Sequence, residues 1–415
     1  MQHLADHSHG SGPAAARSAL SAAQSGRVGG GHYAREVADA GCANIYRVRK
    51  LCAADEYGTI TQALAQWAAD KPAGDAPRSG IIEIVDSATY YESPVFRLEA
   101  GERLTLRAAS VERPVLRIFD YHTDEPGQSA VVGGAGSHFT LDGLCIVGGS
   151  VDVRNADALS GRLHVTLRHC TLFPGWDCER RSPSPWRLEP SLTLRTGAIA
   201  LHLEYCIAGP VTVCADGSGA ALPTMSVVRS ILDGGHAAGM LLDDGHSSAA
   251  AVRLTVSRST AIGVMQASDL AMAENSIFLG ALVLSQRAGG AVRYCYLAPG
   301  SRTPSRMMCQ PDLARNAPGG KGAMTVRRVR PRFVSLRCGG AGYGQLAPDC
   351  DAGIVNGADD DSAMGPFHDA HHLEPQPASR ESTPDMVFVS WPHRPLAGSS
   401  PPITACAVCA TTSSG

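Results

Sequence analysis

Between Phe139 and Leu297 one eight-residue phrase recurs seven times, and a chain built this way is driven toward a stack of equivalent coils. The copies are FTLDGLCI, VTLRHCTL, LHLEYCIA, MSVVRSIL, LTVSRSTA, LAMAENSI and GAVRYCYL, starting at 139, 165, 201, 225, 254, 270 and 290. Their spacing runs from 16 residues (254 to 270) to 36 (165 to 201), as in a solenoid whose coils carry loops of unequal length. Each copy has two apolar residues two apart, which a strand buried on one face requires. A slip of phase follows, then a mostly small or sulfur-bearing residue: Leu144, Cys170, Cys206, Ser230, Ser259, Asn275, Cys295. This column reads as an inward ladder at a bend. A second alternating run follows several copies, as at Val151/Val153, Val211/Val213 and Leu282/Leu284. Each coil then holds two or three short strands, paired with their counterparts in neighbouring coils at about 4.8 Å. The expected fold is all-β: a single-stranded parallel β-helix of roughly nine coils, right-handed by the usual crossover preference.

Composition agrees with a turn-rich β protein, since 45 Gly and 26 Pro accompany only 5% aromatic residues. A net charge of −3 supplies no broad attraction for nucleic acid or anionic membrane, so neither is expected as a partner. No apolar run is long enough for a transmembrane helix. The first residues lack the apolar core of a secretory signal. Synthesis in the cytoplasm is expected, with incorporation into a particle or release by a non-classical route. Thirteen Cys are odd in number, and several sit at strand positions (Cys145, Cys170, Cys206, Cys214, Cys295), where reduced thiols act as small hydrophobes.

The chain divides into five parts. Residues 1–35, rich in Ser, Gly, Ala and His, are expected to be disordered. Residues 36–80 form a helical cap region: a short helix around Ala43–Lys50, then a longer one with Thr59 as N-cap and Ile60, Ala63, Leu64 and Trp67 on one face. Such a helix would cover the open end of the stack. Residues 81–300 are the β-helix, with loops at Asp120–Val131, Pro174–Pro190 and Gly234–Ala251. Residues 301–370 are an irregular extension with a strand near Arg327–Arg337, and residues 371–415 a disordered tail.

Phrases across Thr59–Asp369 resemble a group of uncharacterised bacterial proteins with the pectin-lyase-like right-handed β-helix, some encoded near contractile phage-tail-like gene clusters. They are IFDYHTDEPG, GSHFTLDGLCIVGG, EPSLTL, RSILD, AENSIFLG, APGSRTPSRMMCQPD and GADDDSAMGPFHD. The resemblance implies a fold and a setting and supplies no catalytic residue. After the GADDDSAMG stretch this sequence departs from the group, whose closing amphipathic helix is replaced by a Pro/Ser-rich tail; a frameshift after about Leu373 would account for it.

Folds of this kind often cleave acidic polysaccharides, and glycoside hydrolysis needs two carboxylates about 5–10 Å apart. The weak catalytic candidates are Asp243 and Asp244 with His246, for which a solvated acidic loop is the simpler reading. Asp359, Asp360 and Asp361 read as an acidic turn rather than a Ca²⁺ loop. Cys406 and Cys409 lack the second pair that structural zinc needs. No cofactor or metal is expected. For binding, Trp176 and Trp186 with Arg180, Arg181 and Arg187 in one loop offer the aromatic and guanidinium surfaces that sugars and proteins use. The Arg-rich stretch Arg327–Arg337 reads as a charged strand edge. The expected function is a non-catalytic scaffold, structural or adhesive, with a protein or surface glycan as partner. The alternative is a polysaccharide lyase or glycoside hydrolase.

Overall fold

A computed structural model describes residues 28–31, 33–35, 44–70, 76–120, 125–172, 189–195, 197–214, 221–317, 328–338 and 342–368. Within them the chain winds as a parallel β-solenoid with three walls. Wall 1 runs through Ile45–Val48, Ser79–Ile84, Arg103–Ala108, His138–Asp142, Leu163–Arg168, Ile199–Glu204, Thr224–Val228 and Ala250–Ser257. It continues through the second half of Val264–Glu274, then Ala291–Arg293 and Arg306–Met307. Wall 2 is a nine-stranded sheet from Thr89–Tyr91 to Tyr296–Leu297. Wall 3 contains Val95–Leu98, Glu125–Gly133, Gly149–Asn155, Leu192–Leu194, Val211–Val213, Met240–Asp243, the first half of Val264–Glu274 and Leu282–Leu284. The chain visits walls 1, 2 and 3 in turn, so the wall strands pair in parallel with their equivalents one coil away; the short strand Phe119–Asp120 pairs antiparallel with Glu125–Gly133.

The two apolar residues of each copy form the inward columns of wall 1. Phe139, Val165, Leu201, Met225 and Leu254 are in register, as are Leu141, Leu167, Leu203, Val227 and Val256. All ten are buried. One continuous apolar core runs from the N-terminal helix to Cys309.

From His138–Asp142 onward each wall 1 strand ends in a bend held by a residue of positive φ: Gly143 (82°), His169 (49°), Tyr205 (52°), Arg229 (47°), Arg258 (48°), Asn275 (51°), Tyr294 (52°) and Met308 (54°). A non-glycine residue there costs roughly 1–2 kcal/mol. The next residue turns inward and donates to the carbonyl two positions back: Cys170 to Arg168 O (3.2 Å), Ser230 to Val228 O (2.7 Å), Ser259 to Ser257 O (2.7 Å), Cys295 to Arg293 O (3.2 Å). The serines also accept from the coil before: Cys206 N donates to Ser230 Oγ (2.9 Å), Ser230 N to Ser259 Oγ (3.1 Å) and Ser259 N to Ser276 Oγ (3.1 Å). Backbone N–H groups buried at the bend are thereby satisfied.

The ladder differs from the sequence expectation at one rung, where Ser276 stands inward and Asn275 is the left-handed residue. A register shift between Leu254 and Thr255 gives the facing strand one extra residue. The inward residues are therefore Leu270 and Ala273. The ladder also extends one coil further, to Cys309, which donates to Met307 O (3.3 Å).

The helix expected after Thr59 is present as α1, Ile60–Ala69, with the Thr59 side chain accepting from Gln62 N and Ile60, Ala63, Leu64 and Trp67 buried. It packs on the first wall 1 strands. The Trp67 indole lies where a side chain at Gly80 would otherwise stand, since a Cβ there would come within 2.6 Å of it.

Three local expectations are corrected. Ala43–Lys50 contains strand Ile45–Val48 rather than a helix, because Tyr46 and Val48 alternate inward and the segment pairs with Ser79–Ile84. The loop expected over Asp120–Val131 is largely the wall 3 strand Glu125–Gly133. The Gly234–Ala251 loop contains strand Met240–Asp243, whose Leu241 and Leu242 are buried. Residues 371–415 and 1–27 lie outside the described residues.

The ladder makes a testable statement. Ser259→Ala removes both the donor to Ser257 O and the acceptor for Ser230 N, and should cost about 1–3 kcal/mol in urea unfolding. Ser259→Cys, the residue used in other coils, should cost less.

Candidate functional site

The three walls present different surfaces. Wall 2 is covered at both ends of the stack. Residues 28–31 and 33–35, expected to be disordered, lie across the early coils: Gly29 N donates to Tyr205 O (2.7 Å) and Gly30 N to Thr171 Oγ1 (2.9 Å). The Tyr33 hydroxyl lies 3.0 Å from His169 Nδ1. His169 in turn stacks on Tyr205 (centroids 4.9 Å apart, 4° between planes), and Arg229 lies over Tyr205. Burial, with Arg168 and Arg35 nearby, pushes the His169 pKa down to about 3, so its ring stays neutral. Arg35 donates to Ala109 O (2.9 Å) and Ala108 O (3.2 Å) and lies 3.8 Å from Asp142.

The later coils of wall 2 are covered by residues 328–338 and 342–368. Val329, Phe333, Cys350, Ile354 and Met364 pack on Ile277 and Tyr296. Leu336, Cys338, Tyr343 and Phe367 pack with Ile207, Ile231 and Ile262. The Arg-rich stretch from Arg328 is therefore one limb of a clamp and contains no extended strand. Val329, Phe333 and Leu336 pack on wall 2 and Val334 is exposed, while Arg332 pairs with Asp349 (2.7 Å) and Arg328 lies 3.9 Å from Asp351. Arg327 lies outside the described residues.

The clamp is fastened at Asn275. Its amide donates to Asp359 Oδ1 (2.7 Å) and accepts from Asp359 N (3.1 Å). In the same turn His368 Nε2 lies 3.0 Å from Asp360 Oδ2, and the Ser362 hydroxyl 2.9 Å from His368 Nδ1. Burial alone would raise the Asp360 carboxyl, but Ser362 and the His368 imidazole bring it down to about 2. Ligand atoms of Asp359, Asp360 and His368 lie within 4.8 Å of one another, the one such group of three among the described residues. They could hold a divalent ion. Their partners already account for them as a structural turn: Asp359 is engaged by Asn275, and Asp360 by Ser362 and His368.

On wall 3 the outward column Asp152, Thr193, Thr212, Asp243 is buried. Arg195 (2.6 Å) and Arg154 (3.2 Å) close on Asp152. Asp243 accepts from Gly245 N (3.0 Å) and Ser247 N (3.1 Å). Asp244 accepts from His246 N (2.7 Å) and Ser248 N (2.9 Å). Burial opposes ionisation of Asp244, yet these N–H groups hold its carboxyl below the usual range. The candidate carboxylates thus organise their own turn. Asp152 and Asp243 are three coils apart in one column, about 14 Å at the usual spacing, which is too far for an acid–base pair across one bond. Trp176, Trp186, Arg180, Arg181 and Arg187 lie outside the described residues.

Wall 1 carries a charge ladder that the repeat analysis missed. Arg47, Glu83, Arg107, Asp142, Arg168 and Glu204 occupy one outward column in register. Signs alternate at every coil. Arg107 lies 2.8 Å from Glu83 and Arg168 3.2 Å from Glu204, and further along Arg293 lies 2.6 Å from Glu274. The signal was present in the fourth position of FTLD, VTLR and LHLE. Burial raises the Asp142 pKa against the pull of Arg35, Arg168 and Arg107. Successive carboxylates are two coils apart, about 10 Å, with an Arg between them.

Two predictions follow from this geometry. Asp359→Ala should open the clamp, so that limited proteolysis cleaves within 357–368 faster than in the parent while the β-sheet circular dichroism is unchanged. For Asp360 the folded pKa lies below the unfolded value of about 3.9. Its stabilisation is therefore complete above that pH and lost as pH falls through about 2. The stability difference between the parent and Asp360→Asn should be constant from neutral pH down to about pH 4 and close below it, as read by unfolding midpoints.

Among the described residues no helix is long and apolar enough to cross a membrane. Compared with protein-family models and with curated proteins, the sequence matches none.

Proposed function

We propose that this chain is a non-catalytic β-helix scaffold, a structural or adhesive element that binds a protein or glycan along its flank. The observation that carries the reading is the engagement of the carboxylates along the stack. Asp152 is tied to Arg195, Glu83 to Arg107, Glu204 to Arg168 and Glu274 to Arg293, while Asp243 and Asp244 are tied to their own turn. A hydrolase needs one carboxyl free to give a proton and a second free to activate water or attack, at a fixed separation. A scaffold needs the opposite, a rigid rod with its polar groups neutralised.

In this reading the solenoid is right-handed, the hand that crossovers between parallel strands favour, and of the pectin-lyase-like kind. Helix α1 is its N-terminal cap, supported by the burial of its apolar face against the first strands. The nine cysteines among the described residues are all free thiols, which suits assembly in a reducing compartment. A place in a phage-tail-like particle is part of the proposal and rests on the sequence resemblance.

The test is turnover. Purified protein incubated with neutral and acidic polysaccharides should release neither reducing ends nor unsaturated sugar ends. Steady release from any of them would replace the scaffold with a lyase or hydrolase.

A further inference from the structure

Wall 2 is covered by residues 28–31, 33–35, 328–338 and 342–368, and the middle of wall 3's outward column is closed by Arg154, Arg195 and the turn at 243–248. On wall 1 the N-terminal segment reaches only the edge, where Arg35 meets Asp142, and the centre of the outward face runs uncovered along the stack among the described residues. Its central outward column is Thr105, Thr140, Thr166, His202, Ser226 and Thr255, in register and each half-buried as on an open sheet face. Five hydroxyls and one imidazole therefore repeat at about 4.8 Å. Each hydroxyl both donates and accepts hydrogen bonds.

Beside this column the stacked imidazoles of His138 and His164 (centroids 4.5 Å apart, 10° between planes) add a flat polar surface. Burial, with His164 and Arg103 nearby, lowers the pKa of His138, which favours the uncharged ring. On the other side runs the ladder of alternating charge, in which Glu83 is met by Arg107 and Glu204 by Arg168. The face thus offers many two-way hydrogen-bonding groups and little net field.

We infer that wall 1 binds an extended, uncharged polysaccharide lying along the coil axis, with Thr140, Thr166, His202 and Ser226 at the centre of contact. Sugar hydroxyls, like those of Thr and Ser, both donate and accept, and a linear glycan presents them at a regular interval along one edge. An anionic polysaccharide fits this face poorly, because Arg107, Arg168, Arg253 and Arg293, the guanidinium groups it would seek along most of the wall, are already paired with carboxylates. The inference rests on the scaffold reading and adds to it the face and the chemical class of the partner.

The experiment is native electrophoresis of the full chain through gels containing a soluble β-glucan, a xylan, a galactomannan or polygalacturonate, at low and high salt. At least one neutral glycan should retard the protein, equally at both salt concentrations. Thr166→Val with His202→Ala keeps the strand shape and removes the central contacts. It should weaken that retardation by about tenfold or more, equivalent to roughly 1.4 kcal/mol, with an unchanged unfolding midpoint. Retardation by polygalacturonate alone, retardation abolished by salt, full retardation of the double variant, or no retardation by any neutral glycan would each overturn the inference. Release of reducing ends during the same incubation would overturn the scaffold reading instead, and absence of binding without turnover would leave the scaffold standing and remove the face.

Discussion

The bend that closes each wall 1 strand from His138–Asp142 onward is the constraint on which the remaining structure depends. It requires a left-handed residue, supplied by glycine only at Gly143 and elsewhere by His169, Tyr205, Arg229, Arg258, Asn275, Tyr294 and Met308. Seven non-glycine residues in that conformation would be an expensive choice for a chain without compensation. The compensation is the inward Cys or Ser that follows. It returns a hydrogen bond to the carbonyl two residues back, and where it is Ser it accepts the N–H of the previous coil's ladder residue. Strain and its relief therefore sit on adjacent residues, which is why the phrase repeats as a unit.

Once the bends are fixed, strand register follows, and with it the character of each wall. The outward column from Arg47 to Glu204 alternates in sign at each coil. A slip by one coil would set like charges side by side, a penalty that acts together with the loss of inward packing. Wall 2 has the opposite character. Ile207, Ile231, Ile262 and Ile277 lie under the clamp and would otherwise form an apolar stripe on the surface, so the two chain segments that cover it are part of the fold. What remains open at the centre of wall 1 is polar and flanked by paired charges.

Much of the stack was legible in the sequence. Helix α1 followed from Thr59 and the spacing of Ile60, Ala63, Leu64 and Trp67, because capping and amphipathicity are local properties. The inward columns followed from residues two apart. The ladder was misplaced at Asn275 because a bulge in Val264–Glu274 inserts a residue, and an eight-residue phrase aligned without gaps has no means of registering it. Asn275 is instead a buried clasp that receives Asp359, 84 residues away. Likewise Asp243 read as part of a loop because its strand, Met240–Asp243, is short and flanked by Gly.

By itself the sequence determined the coil. Apolar alternation, the inward Cys/Ser column and α1 are all set by residues within a few positions of one another, and so is the alternating charge once the copies are aligned. Only the tertiary structure decided which walls are exposed. The segments that cover wall 2 meet it through contacts between residues far apart in sequence, such as Gly30 with Thr171, 141 positions apart, and Tyr33 with His169, 136 apart. Neither segment has a periodicity that announces its partner. Burial of a sheet face by distant, aperiodic chain is a property of the packed whole, and it is what distinguishes the covered wall 2 from the open centre of wall 1.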